Sequence, residues 1–160
     1  MHPVYDHDPL LLLATSLAAK RRPAEPMELI AAIELMQMAV PAEGKLQEAI
    51  SRLGVVGLLE DHAGCLALTP AGLQLIESLS LKDDYATRLF DLRRRLADYQ
   101  AQAGQAIEYT VEVWQAAIAA QQALTKSGAK NLLMPKPAAP AAQARPGQRQ
   151  RKPLPKARKR

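Results

Sequence analysis

Three segments in the first third of the chain carry apolar residues at helical spacing. Residues 9–20 are apolar on nearly every side, which predicts a helix deep in the core with Asp8 as its N-cap. A second helix is predicted over about 26–37 and a third over about 42–53, each with one apolar face. Gly54 follows the third helix, where a C-terminal glycine is expected.

The pattern then changes to two short apolar runs. Residues 55–60 and 65–68 flank a turn-like tetrad at 61–64, and this arrangement predicts a β-hairpin. Thr69 is a residue type that caps helices, and a proline suited to the first helical position follows it. We therefore expect a further helix over about 70–79.

From residue 82 to residue 126 the chain shows one long helical pattern. Its apolar residues alternate spacings of four and three, as in a heptad repeat, and the register slips near Gly104. An unbroken helix would be about 68 Å long at ~1.5 Å per residue. Its apolar stripe needs a partner, so the segment either folds back at Gly104 as a helical hairpin or pairs with a second chain. We expect a homodimer formed through residues 81–128.

Charge divides the chain into two unlike parts. Residues 1–128 contain 11 Lys and Arg against 16 Asp and Glu, a net charge of −5, whereas residues 129–160 contain 10 basic residues and no acid. The overall charge of +5 therefore describes a basic tail attached to an acidic body. Residues 134–160 also hold half of the prolines and no aromatic residue, which predicts a disordered tail.

Composition and the order of charges argue against disulfides, membrane spans and export. The single cysteine, Cys65, excludes a disulfide framework. No apolar run is longer than Leu10–Ala14, which is too short to cross a membrane, so we expect no membrane contact. Acidic residues precede this stretch and basic residues follow it, which is the reverse of an export signal and predicts a cytoplasmic protein.

No sequence pattern indicates catalysis. The chain lacks a glycine-rich phosphate loop, a nucleophile elbow and a metal-binding H-E-x-x-H motif. His62 and Cys65 form half of a zinc motif without a second pair. We therefore expect no enzymatic activity, no catalytic residues, no cofactor and no metal.

The predicted order of three helices, a hairpin and a fourth helix resembles a winged helix-turn-helix domain. Residues 46–76, with the sequence LTPAG at 68–72, are similar to the recognition helix, wing and following helix of MarR-like and PadR-like bacterial regulators. The expected fold is mainly α with a small β-hairpin. It comprises a winged helix-turn-helix domain over 1–80, a long helix or helical hairpin over 81–128 and a disordered basic tail over 129–160.

The resemblance also implies where nucleic acid would bind. In such regulators the third helix enters the major groove and the wing touches the adjacent backbone or minor groove. The corresponding candidates are Lys45, Gln47, Ser51 and Arg52 on the third helix, His62 at the wing tip, and Lys20, Arg21 and Arg22 after the first helix. Glu43 and Glu48 bring the third helix to a net charge of zero, and acids at such an interface oppose phosphate binding.

The tail supplies a second set of candidates. Its dense cations suit phosphate contacts without sequence preference. These residues are Arg149, Arg151, Lys152, Lys156, Arg158, Lys159 and Arg160. The same tail is also compatible with a solubilising role, or with contact to the acidic body of its own chain.

The sequence thus predicts a DNA-binding winged-helix protein, either a transcriptional regulator or a nucleoid-associated factor, with electrostatic binding by the tail. Two alternatives remain open. One is a winged-helix adaptor that binds other proteins, which suits the neutral third helix. The other is an RNA-associated protein that binds through its tail.

Overall fold

The computed structural model of the protein describes residues 4–133. Over this range the chain is mainly helical with one small antiparallel sheet, as the sequence predicts. The elements are α1 His7–Ala18, α2 Pro26–Leu35, α3 Glu43–Val55, β1 Leu59–His62, β2 Cys65–Leu68, α4 Pro70–Glu77, α5 Tyr85–Asp98 and α6 Val111–Leu133. No helix in this described part is both long and apolar enough to cross a membrane.

Helix α1 is the centre of the core. Its consecutive residues Leu11, Leu12 and Leu13 are fully buried, which requires neighbours on all sides of the helix, and α1 packs against α2, α3 and α5. The predicted cap is displaced, because the helix begins at His7 and Asp8 lies inside its first turn. The Asp8 carboxylate instead accepts a hydrogen bond from the backbone N–H of Tyr5 at 3.1 Å.

The capping glycine of α3 lies three residues later than predicted. Gly54 lies within the helix, and the capping glycine is Gly57, whose φ is +74°. The N–H of Leu58 donates to the carbonyl of Leu53 at 2.9 Å, and that of Gly57 donates to Gly54 at 3.0 Å. These two bonds form a Schellman motif, which explains why Val55 ends the helix and Val56 caps it, rather than the two residues beginning a strand.

The hairpin is tighter than predicted. Strands β1 and β2 pair antiparallel from Leu59 opposite Leu68 to His62 opposite Cys65, so only two residues form the loop. Ala63 and Gly64 have φ values of +54° and +87°, as a type I′ turn requires.

Hydrogen bonds join the sheet to the elements beside it and after it. On the far side of β2, Ala24 and Leu66 exchange two backbone hydrogen bonds of 2.8 Å. The prediction for the next helix is confirmed, since the Thr69 hydroxyl caps α4 by accepting from Gly72 N at 3.2 Å. The same hydroxyl donates to the carbonyl of Gly57 at 2.6 Å.

Of the two forms left open for residues 82–126, the unbroken helix is not observed, and the helical pattern is interrupted on both sides of Gly104. Helix α5 ends at Asp98, residues 99–110 form a non-helical segment that we call the strap, and α6 packs mainly against α2 and α3. Trp114 of α6 is fully buried and shares one core with α1, α2 and α3. The apolar stripe is therefore partly covered within the chain, and residues on both sides of position 80 belong to the same core.

Two glycines let the strap lie directly on the end of α3. Gly104 N donates to Val55 O and Gln102 N donates to Val56 O, both at 3.1 Å. A Cβ at Gly104 would overlap the carbonyl oxygen of Gly54, and one at Gly54 would lie 2.5 Å from the carbonyl oxygen of Gln105. The two backbones approach more closely than any residue with a side chain permits.

Candidate nucleic-acid interface

The outer face of α3 is partly occupied by the rest of the chain. The amide of Gln47, a predicted base-reading residue, donates to the carbonyl of Ile107 at 2.9 Å. Its oxygen accepts from Tyr109 N at 3.0 Å and from the indole N–H of Trp114 at 3.2 Å. Both acceptor positions of the amide oxygen are therefore used. The side chain of Gln47 therefore joins the strap and α6 to α3 by three hydrogen bonds.

Arg52 is likewise engaged inside the molecule. Its Nη2 lies 2.7 Å from Oδ1 of Asp8, whose side chain is only 3% exposed, and its Nε lies 3.3 Å from the same oxygen. The guanidinium also lies over the ring of Tyr5, 4.1 Å from the centroid. Arg52 therefore joins the end of α3 to the start of α1, and its charge is largely compensated.

Lys45 and Ser51 remain on the accessible part of this face. Lys45 is exposed and lies 3.0 Å from Glu48, and this hydrogen bond holds the pKa of the Glu48 carboxyl below its ordinary value. Ser51 is half-buried and lines an open groove of about 490 Å³ between α3 and the strap. Glu108 and Tyr109 form the strap side of that groove. The groove thus offers one serine hydroxyl and the guanidinium of Arg52, which is paired with Asp8, but also two carboxylates to any ligand.

The tip of the hairpin is acidic on balance. His62 is exposed and its ring nitrogen lies 2.9 Å from the carboxylate of Glu60. Asp61 accepts from Gly64 N at 3.1 Å and from the hydroxyl of Tyr109 at 2.5 Å. Burial, followed by the bond to Asp61, raises the pKa of Tyr109 above its ordinary value. The hairpin tip thus presents two acids and one histidine, a poor surface for phosphate.

The basic residues between α1 and α2 are the most accessible cations near the hairpin. Lys20, Arg21 and Arg22 are all exposed, and Arg22 lies 2.5 Å from Glu28. Lys20 and Arg21 have no ion-pair partner among residues 4–133. Because Ala24 pairs with β2, these cations lie beside the sheet rather than beside the outer face of α3.

The sequence-predicted residues therefore do not form one continuous surface. Lys45 and Ser51 lie on the open part of α3, Gln47 and Arg52 are used for packing, and the basic cluster lies after α1. The tail candidates, from Arg149 to Arg160, lie outside the described residues.

The residues missed by sequence analysis are those that contact Gln47. Ile107 and Trp114 are buried, and Tyr109 is half-buried. The register slip near Gly104 was their only signal, because the apolar spacing on either side fits a helix.

The described residues offer few groups for a metal site or a redox site. Residues 4–133 contain no group of three or more His, Cys, Asp or Glu side chains placed to share a metal ion. Cys65 is a free, half-buried thiol on β2. Comparison with protein-family models, curated proteins and solved structures finds no match to this chain.

Proposed function

We propose that this protein binds DNA through its basic C-terminal tail, with a body of the winged-helix type that positions the tail. The observation that carries the proposal is the division of charge, −5 over residues 1–128 and +10 over residues 129–160. Cations at this density along the sequence neutralise phosphates and release condensed counterions, which supplies affinity without sequence preference. A transcriptional regulator or a nucleoid-associated factor would use such a tail.

The order of elements in the body supports the winged-helix part of the proposal. Three helices precede a hairpin, and Ala24, between α1 and α2, pairs with β2 as a third strand position. In such a body, a duplex along α3 would contact Lys45, whereas Lys20 and Arg21 lie beside the sheet.

Sequence-specific reading by α3 is the weaker part of the proposal. Gln47 and Arg52 both make hydrogen bonds within the chain, and a base contact by either would first have to break them. We therefore assign most of the affinity to the tail and a positioning role to the body.

Removal of the tail tests this assignment. A chain ending at residue 133 keeps the whole of α6 and every buried core residue, but loses 9 of the 21 Lys and Arg residues. We expect duplex binding to weaken at least a hundredfold at low salt, measured by fluorescence anisotropy. A full-length variant with those nine residues changed to Gln is the matched control and is expected to behave in the same way. Equal affinity of all three proteins would overturn the assignment.

A protein-binding adaptor is the second candidate, and specific observations favour it. The outer face of α3 is partly occupied by the strap, and Leu81 and Phe90 are 85% and 63% exposed on the body. An adaptor would bind no duplex at low salt, with or without the tail. A preference for structured RNA over duplex DNA in the same titration would instead favour the RNA-associated alternative.

The homodimer through residues 81–128 remains a prediction. Because Trp114 and Ala117 are buried within one chain, a dimer would have to use the exposed remainder of α5 and α6. A solution mass of about twice 17.4 kDa would support it, and a mass of 17.4 kDa would contradict it.

A further inference from the structure

The outer edge of β1 is unpaired in the described fold. Leu66 gives both its N–H and its C=O to Ala24, so it exchanges no hydrogen bond with Asp61, which lies opposite it on β1. In an antiparallel pair, the backbone groups of such a residue point away from the partner strand. The N–H and C=O of Asp61 therefore face outward, and neither has a hydrogen-bond partner among residues 4–133. Unpaired strand edges of this kind accept an added strand.

A groove lies along this edge. It has a volume of about 560 Å³ and runs between β1 and strap residues 102–108. Its lining includes the carboxylates of Glu60, Asp61 and Glu108 and contains no Lys or Arg. The His62 ring nitrogen lies 2.9 Å from the Glu60 carboxylate, and Glu108 has no ion-pair partner in the described part of the chain. The groove therefore combines free backbone groups with uncompensated negative charge.

We propose that residues 147–152 of the chain's own tail add to the edge of β1 in this groove. This segment, GQRQRK, lies between Pro146 and Pro153 and contains no proline, so each of its residues keeps the N–H that strand pairing needs. Three of its six residues are basic, and Arg149 and Arg151 would project to the same side of an extended strand. Their charge is complementary to the three carboxylates of the groove.

The chain is long enough for this contact. The hydroxyl of Tyr109 is bonded to Asp61, so α6 starts beside the groove. Helix α6 then carries the chain away for 23 residues, about 33 Å at ~1.5 Å per residue. The 14 residues 134–147 span up to about 46 Å at ~3.3 Å per residue, which covers the return distance. A tether of this length holds the segment at an effective concentration on the order of millimolar.

The contact makes the groove and nucleic acid compete for the same cations. Docked in the groove, Arg149, Arg151 and Lys152 are withheld from phosphate, and a bound duplex draws them out. This consequence rests on the proposed function, whereas docking in the groove does not.

Hydrogen exchange of the Asp61 amide in the full-length protein tests the proposal. We expect a protected amide in the wild type and at least tenfold faster exchange in R149Q/R151Q/K152Q. The control K156Q/R158Q/K159Q removes the same number of charges outside the proline-free segment, and its exchange is expected to stay within twofold of the wild type. E60Q/E108Q, which neutralises the groove without touching the tail, is expected to exchange as fast as the first variant.

Three results would overturn the proposal. The first is an Asp61 amide that exchanges at the same rate in the wild type and R149Q/R151Q/K152Q. The second is an equal acceleration by both triple variants, which would reduce the contact to unspecific attraction. The third is protection that disappears on tenfold dilution, which would assign the groove to the tail of a second copy.

A DNA titration of the same proteins separates this proposal from the proposed function. Each triple variant loses three cations, so the magnitude of the salt slope is expected to fall by up to about 2.7 for both. Absence of duplex binding with Asp61 still protected would overturn the function and leave the docking intact. Normal duplex binding with an unprotected Asp61 amide would overturn the docking and leave the proposed function intact.

Discussion

Substitution of Gly104 by alanine tests the attachment of the strap to α3. Gly104 does not have a positive φ, so alanine can adopt its backbone conformation and the effect comes from contacts alone. The added Cβ would overlap Gly54 O and lie 2.7 Å from the backbone nitrogen of Gly57. Both obstacles are backbone atoms, so a rotamer change cannot relieve the overlap and the strap has to move away from α3.

The expected cost follows from what that movement breaks. The backbone bonds from Gln102 to Val56 and from Gly104 to Val55 contribute about 0.5–1.5 kcal/mol each. Replacing glycine by alanine also restricts the unfolded chain, which offsets the loss of stability by about 0.4–1 kcal/mol. Some loss of packing around Ile107 adds to the cost, so we expect a net destabilisation of about 2 kcal/mol. For a folded part of this size, that lowers Tm by about 6–12 °C.

Gly44 provides the matched control. It lies in the first part of α3, and a Cβ there would meet nothing within 4 Å. Alanine at this position is expected to raise stability by up to about 1 kcal/mol, since glycine is unfavourable in helices. Urea denaturation followed by circular dichroism measures both variants. A Gly104→Ala protein as stable as the wild type, or an equal loss in Gly44→Ala, would refute the close contact between strap and helix.

Three further predictions concern side chains of the same region. Gln47→Ala leaves the N–H donors of half-buried Tyr109 and buried Trp114 unpaired and is expected to cost about 2–4 kcal/mol in urea denaturation, whereas Gln74→Ala at an exposed position should change stability by less than about 0.5 kcal/mol. Arg52→Ala leaves the Asp8 carboxylate buried without its cation and is expected to cost about 3 kcal/mol; a loss below about 1 kcal/mol would contradict the ion pair. The fold raises the pKa of Tyr109, so above pH 10 the phenol loses its proton in the unfolded chain before it does so in the folded protein. The contribution of Tyr109 to stability is therefore complete below pH 10 and is lost as the pH rises further. Above pH 10 the free energy of unfolding of Tyr109→Phe should therefore fall less steeply with pH than that of the wild type. Equal slopes for the two proteins would contradict the raised pKa of Tyr109.

Local signals in the sequence account for the elements of the first eighty residues. Thr69 with its following proline starts α4, the proline at position 26 starts α2, and unbroken apolarity over 10–14 places α1 in the core. Each of these signals acts within a few residues of the element it specifies. The errors there, at Asp8 and Gly54, are shifts of the element boundary and leave the elements themselves intact.

The course of residues 99–110 depends on contacts distant in sequence, and its only local signal is the register slip near Gly104. The apolar spacing continues through this segment, and nothing but Gly104 interrupts it. The helix stops because backbone N–H groups of the strap bond to carbonyls at the end of α3 instead of their own previous turn. For the same reason Gln47 was expected on an open surface, since its partners Tyr109 and Trp114 lie more than sixty residues away. The covering of α3 was therefore not predictable from the pattern of α3 alone.

The salt dependence of duplex binding tests the central claim most directly. For the full-length protein, we expect log K to fall with log salt at a slope of about −4 to −8, as half to all of the nine cations beyond residue 133 contact phosphate. For residues 1–133 we expect a slope near zero to about −2, unchanged by Lys45→Ala. Equal slopes for the two proteins, or a truncated protein whose binding is abolished by Lys45→Ala, would contradict the assignment of affinity to the tail and return it to α3.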